Sequence, residues 1–168
     1  MDVQTNPYCE NCPARILSKK GDFHENIGNI MSQVLFVLPR YDEVAIKDLF
    51  EIYNLANGKP FEENCNLTYA VKCTPKANYR VYDDAIIHCR SVYFNQWVQS
   101  FYEHTFVIGD SWKLICGEKP SNEHVAHTFN GRIFKLHFYN SLGVKYYSDT
   151  LFEAVKDKLI QDIRTYNI

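Results

Sequence analysis

The sequence predicts an α/β fold: three αβα layers around a central four-stranded parallel sheet. Short apolar runs of strand length alternate along the chain with longer segments whose apolar residues recur every three or four positions. Such alternation requires right-handed crossovers, which put helices on both faces of a parallel sheet. The chain has 168 residues, 46% hydrophobic and 15% aromatic, enough for one domain with a sizeable core. No Pro/Gly/Ser-rich tract, charge block, repeat or low-complexity segment divides it, so one domain is expected over 1–168.

Residues 1–33 are expected to be mostly irregular, with a Cys9-x-x-Cys12 pair and a basic cluster of Arg15, Lys19 and Lys20. Val34 to Leu38 is a continuous apolar run and the first predicted strand. After a turn at Pro39 and Asp42, the spacing of Val44, Ile46, Leu49, Phe50, Ile52 and Tyr53 predicts a helix that stops at Asn57-Gly58. Leu67 to Val71 is the second strand, delivering Lys72 and Cys73 into a Thr74-Pro75-Lys76 turn. Asp83 or Asp84 can cap the next helix, in which Ile86, Cys89, Tyr93, Trp97 and Phe101 make an inward stripe. His104 to Gly109 is the third strand, followed by a short helix capped by Asp110. Arg132 to Leu136 is the fourth strand. Thr150-Leu151-Phe152-Glu153 reads as a capping box ahead of a last helix carrying Leu151, Val155, Leu159 and Ile163 inward.

Six cysteines without a secretion signal argue against a disulfide framework and for thiols kept free for a metal. Cys9, Cys12, Cys73 and Cys89 are the candidate ligands, while Cys65 and Cys116 read as ordinary buried thiols. Four thiolates suit structural zinc as well as an iron–sulfur cluster. The net charge is −2 and the pI about 6.3, so DNA contact would rest on a local patch. The N-terminus lacks the basic and apolar regions of a signal peptide, and no run approaches the ~20 apolar residues of a membrane span. A cytoplasmic, intracellular protein is expected.

The order Cys9-Glu10-Asn11-Cys12-Pro13, Val71-Lys72-Cys73-Thr74-Pro75 and Cys89-Arg90 resembles the cysteine framework of the iron–sulfur uracil-DNA glycosylases. Phe106-Val107-Ile108-Gly109 stands where that family has a Val-x-Leu-Gly strand end. The resemblance covers most of the chain, and its specific part is the four cysteines. It implies a uracil-DNA glycosylase-like fold and a 4Fe–4S cluster on Cys9, Cys12, Cys73 and Cys89, with zinc as the alternative. Base excision is a hydrolysis without electron transfer, so the cluster's implied role is structural, tying the N-terminal segment to the DNA-facing loops.

The family's active-site motifs are degenerate here. Its Gly-Glu-x-Pro-Gly after the first strand is replaced by Val37-Leu38-Pro39-Arg40-Tyr41-Asp42-Glu43, which leaves Asp42 and Glu43 as the acids able to position a water. Lys59-Pro60-Phe61 superficially resembles the missing segment, but it follows the helix and is taken as chance. The uracil-reading Asn is replaced by Tyr69, a phenol large enough to fill the pocket of a flipped base. Of the family's His-Pro-Ser, only His137 survives, in His137-Phe138-Tyr139.

The resemblance and its departures imply a catalytically inactive relative that binds DNA, a pseudoenzyme in DNA repair. Lys72, Lys76 and Arg80, interleaved with Asn78, Tyr79 and Tyr82, are the expected DNA contacts. Phe138, Tyr139, Tyr146 and Tyr147 could add an aromatic wedge. Two alternatives stay open: an active DNA glycosylase of altered base specificity using His137 with Asp42 or Glu43, and a protein-interaction module on the same scaffold.

Overall fold

The computed structural model describes residues 24–73, 94, 96–116 and 118–168. Six strands are described: β1 (Ile27–Gly28), β2 (Val34–Arg40), β3 (Asn66–Val71), β4 (His104–Ile108), β5 (His124–Phe129) and β6 (Arg132–Tyr139). The helices are α1 (Glu43–Asn57), α2 (Phe61–Asn64), α3 (Gln96–Phe101) and α4 (Asp149–Thr165), with 3-10 segments at Gly109–Leu114 and Leu142–Tyr146.

The pairing corrects the expected central four-stranded parallel sheet. The sheet has six strands in the order β1-β3-β2-β4-β6-β5, and it is mixed. β3, β2, β4 and β6 run parallel, whereas β1 lies antiparallel on β3 and β5 antiparallel on β6. β5 was not foreseen because it is an edge strand: His124–Phe129 is mostly exposed and carries no apolar run. Its signal lies in the turn. Asn130 and Gly131 adopt positive φ of 50° and 75°, as a two-residue hairpin turn of matching twist demands.

Both faces of β2 are covered, which is why its sequence reads as an unbroken apolar run. Phe36, Leu38, Leu67, Tyr69, Phe106, Ile108 and Tyr139 share one core with Leu49, Ile52 and Tyr53 of α1 and with Val155, Leu159 and Ile163 of α4. Within it Phe36 stacks on Phe106 with centroids 4.5 Å apart, and burial of each ring contributes about 2 kcal/mol. Leu35, Val37, Ala70, Val71 and Cys73 pack on the opposite face with Phe94 and Leu114.

Local chemistry sets the helix ends. The Asp42 carboxylate accepts from the amides of Val44 and Ala45, capping α1, and the chain leaves α1 through a left-handed Gly58. The cap of α4 is Ser148, whose hydroxyl accepts from the Leu151 amide, so the helix starts before the expected box at Thr150. In α3 the described end of the expected inward stripe turns outward: Phe101 is exposed at the helix terminus, with the Arg132 guanidinium 5.4 Å from its ring centroid. No helix among the described residues is long and apolar enough to cross a membrane.

Candidate functional site

From β2 the chain crosses to β3 on one side and then to β4 on the other, so the strand order reverses at the carboxyl ends of β2 and β4. Open α/β sheets hold their ligands at such a point. Gly109, directly after β4, adopts φ +61°. A Cβ there would lie 3.3 Å from Pro39 Cγ and 3.2 Å from Ser141 Cβ. The segments leaving β2, β4 and β6 therefore meet at one residue without room for a side chain.

Beside this junction the carboxyl ends of β2 and β3 carry an aromatic stack. The His24 and Tyr41 rings lie parallel at 3.9 Å, and Tyr69 presents its edge to both, at 6.4 Å and 5.8 Å. The His24 amide is held by the Lys72 carbonyl at 2.8 Å. Tyr69 is only 1% exposed, and its hydroxyl has no hydrogen-bond partner among the described residues. Burial, and secondarily the neighbouring Tyr41, pushes its phenol up to about 12, so it stays neutral at physiological pH. The Tyr69 ring thus fills the space where it stands.

Lys72 is not the surface cation that its place before a turn suggested. It is buried, with Nζ 2.6 Å from Asn26 Oδ1 and 2.7 Å from Thr68 Oγ1. A buried ammonium must be solvated by protein oxygens, and these two contribute to that shell. Lys76 and Arg80 lie outside the described residues.

Cys73 is buried at the carboxyl end of β3; Cys9, Cys12 and Cys89 lie outside the described residues. Among the described residues no group of three or more His, Cys, Asp or Glu could hold a metal ion. Cys65 is a buried core thiol, pushed up to about 12 by burial. Cys116 is partly buried.

The expected catalytic groups do not converge. Asp42 is occupied as the cap of α1, and Glu43 is exposed, accepting from the Tyr41 hydroxyl at 3.3 Å. His137 lies within β6, in one register row with Phe106 and Phe36. At ~4.8 Å between strands and ~3.3 Å per residue, it stands about 10 Å across the sheet from Phe36, and Arg40 stands about 13 Å further along β2. Asp42 and Glu43 come after that strand end, at the start of α1.

His137 instead joins two other histidines on the face covered by α4. Its Nε2 is 3.0 Å from His104 Nδ1, and its Nδ1 is 2.8 Å from His124 Nδ1. The outer nitrogens face carboxylates: His104 Nε2 is 3.9 Å from Glu103 Oε1, and His124 Nε2 is 3.8 Å from Asp162 Oδ2. Tyr166 covers the group, its centroid 4.5 Å from that of His137. Burial chiefly, then His104, His124 and Lys135, pushes the His137 imidazole down to about 3. Burial also lowers His104, against the pull of Glu103. Sequence reasoning missed His104 and His124 as partners of His137. Once Asn130-Gly131 is recognised as the hairpin turn, pairing runs outward from Phe129 and Arg132 and sets His124 opposite His137. No family model and no curated protein sequence matches the chain.

Proposed function

We propose that the chain is a relative of the iron–sulfur uracil-DNA glycosylases that binds DNA without excising a base. One observation carries the loss of excision. Tyr69, standing where the resemblance puts the base-reading Asn, is buried beneath His24 and Tyr41. A flipped base needs an open pocket and a group that pairs with its edge, and a packed phenol offers neither. The strand register that separates His137 from Asp42 and Glu43 also disfavours an active hydrolase built on those three residues.

The cluster part of the proposal rests on the order of Cys9, Cys12, Cys73 and Cys89 and on Pro13 and Pro75 beside it. A 4Fe–4S cluster on these thiolates would anchor the N-terminal segment; zinc would serve the same structural role. The DNA part rests on Lys76 and Arg80 set among Asn78, Tyr79 and Tyr82.

The test combines two measurements on anaerobically purified protein whose metal content has been quantified. Uracil-containing single- and double-stranded oligonucleotides are assayed for abasic sites, and DNA affinity is followed against salt. Salt-dependent binding without abasic sites is the expected result. Abasic-site formation would overturn the inactive reading, and no binding at low salt would leave the scaffold to a protein partner.

A further inference from the structure

We propose that His104, His137 and His124 form an acid-operated latch, which stores one proton without rearrangement and releases β5 and the C-terminal turn of α4 on receiving a second. The inference does not depend on the function proposed above. It follows from counting hydrogens along the chain of rings.

Each N···N contact holds one hydrogen, since two bare lone pairs repel and two N–H groups collide. The contacts of His137 with His104 and His124 therefore take two hydrogens, and the third belonging to three neutral rings sits on an outer Nε2, facing Glu103 or Asp162. One proton can be added with no bond broken, because the other outer nitrogen also faces a carboxylate. A further proton has only an occupied N···N contact to enter. That contact must open.

The surroundings decide which end yields. His137 is enclosed by Phe106, Tyr166 and the two flanking rings, so an imidazolium there would be buried. His104 is buried at the start of β4, beside exposed Glu103. From β6, Lys135 adds a positive charge with Nζ 5.9 Å from the Tyr166 centroid, and Tyr139 donates to Asp162. From β5, His124 is 37% exposed and sits on the edge strand, with Glu123 paired to Lys158 of α4. His124 is the ring that can move into water. Its departure uncovers His137 and breaks the link from β5 through Asp162 to the last turn of α4.

The full-length chain, labelled with nitrogen-15, is followed by long-range imidazole spectra and amide exchange from about pH 8 to about pH 4. The expected course is uptake of one proton with β5 protection unchanged. A second uptake then coincides with a loss of protection of at least about tenfold, relative to intrinsic rates, in Val125–Thr128 and around Tyr166. Val34–Leu38 stays protected. His137→Phe should abolish the acid step. His124→Asn keeps the test sound if that variant fails to fold: an amide can turn to donate to or accept from His137 Nδ1, so opening should move down by about one pH unit. Three independent full titrations with constant β5 protection would overturn the proposal, as would His124→Asn opening at the wild-type pH.

Discussion

Tyr139 donates its hydroxyl hydrogen to Asp162 Oδ2 over 2.7 Å, and this bond joins the last strand of the sheet to the last helix within a buried environment. Burial, and then the bond to the carboxylate, raises the Tyr139 pKa, so the phenol keeps its proton as donor. Tyr139→Phe retains the ring and removes the donor, leaving Asp162 with a carboxylate oxygen unsatisfied. It should cost about 2 kcal/mol in urea unfolding. A loss below about 0.5 kcal/mol would mean that the bond is not a determinant of α4 docking.

Gly109 offers a test of the strand junction. Gly109→Ala combines a positive φ with crowding by Pro39 and Ser141 and should destabilise by about 3 kcal/mol. Gly58 has a similar φ of +71° but open space around its Cβ position, so Gly58→Ala should cost about 1 kcal/mol. Equal losses in thermal unfolding would refute the crowding.

Acid should weaken the fold through the histidines. The folded-state pKa of His137 lies near 3 and that of His104 is also lowered, both below the ordinary 6.5 of the unfolded chain. The unfolded chain therefore binds more protons below that value. The stability due to neutral imidazoles is complete above about pH 6.5 and is lost as pH falls towards about 3. Urea midpoints should drop by the equivalent of about 1 kcal/mol per pH unit across this window, and less steeply in His137→Phe. Parallel curves for wild type and variant would assign the acid sensitivity elsewhere.

Tyr69→Asn restores the amide of the resembled family to the end of β3. The buried ring's loss should cost about 3 kcal/mol, and uracil excision should remain undetectable because Asp42 still caps α1 and His137 stays in its row. Abasic sites from this variant would show that one side chain blocks the reaction.

Cys73→Ser tests the proposed cluster. Iron content and visible absorbance should fall sharply while Cys65→Ser, at a buried core thiol, leaves both unchanged. Equal metal content in wild type and Cys73→Ser would remove Cys73 from the ligand set.

Much of the local architecture was legible before the structure. Val34 to Leu38, Leu67 to Val71 and the helix ending at Asn57-Gly58 follow from apolar runs, helical spacing and turn chemistry that act over a few residues. β5 escaped because an exposed edge strand needs no apolar run, although Asn130-Gly131 announced its hairpin. The candidate site was less legible. Lys72 was read as a DNA contact because its neighbours in sequence do not reveal that distant Asn26, together with Thr68, takes up its ammonium.

The sequence by itself determined where β2, β3, β4 and α1 form, through side-chain periodicity and caps whose partners are near neighbours. The tertiary structure alone decided the mixed sheet, the burial of Tyr69 under His24 and Tyr41, and the alignment of His104, His137 and His124. Each of these depends on which distant backbones pair and in what register, and register is an energy of the assembled sheet, absent from any short window of the chain.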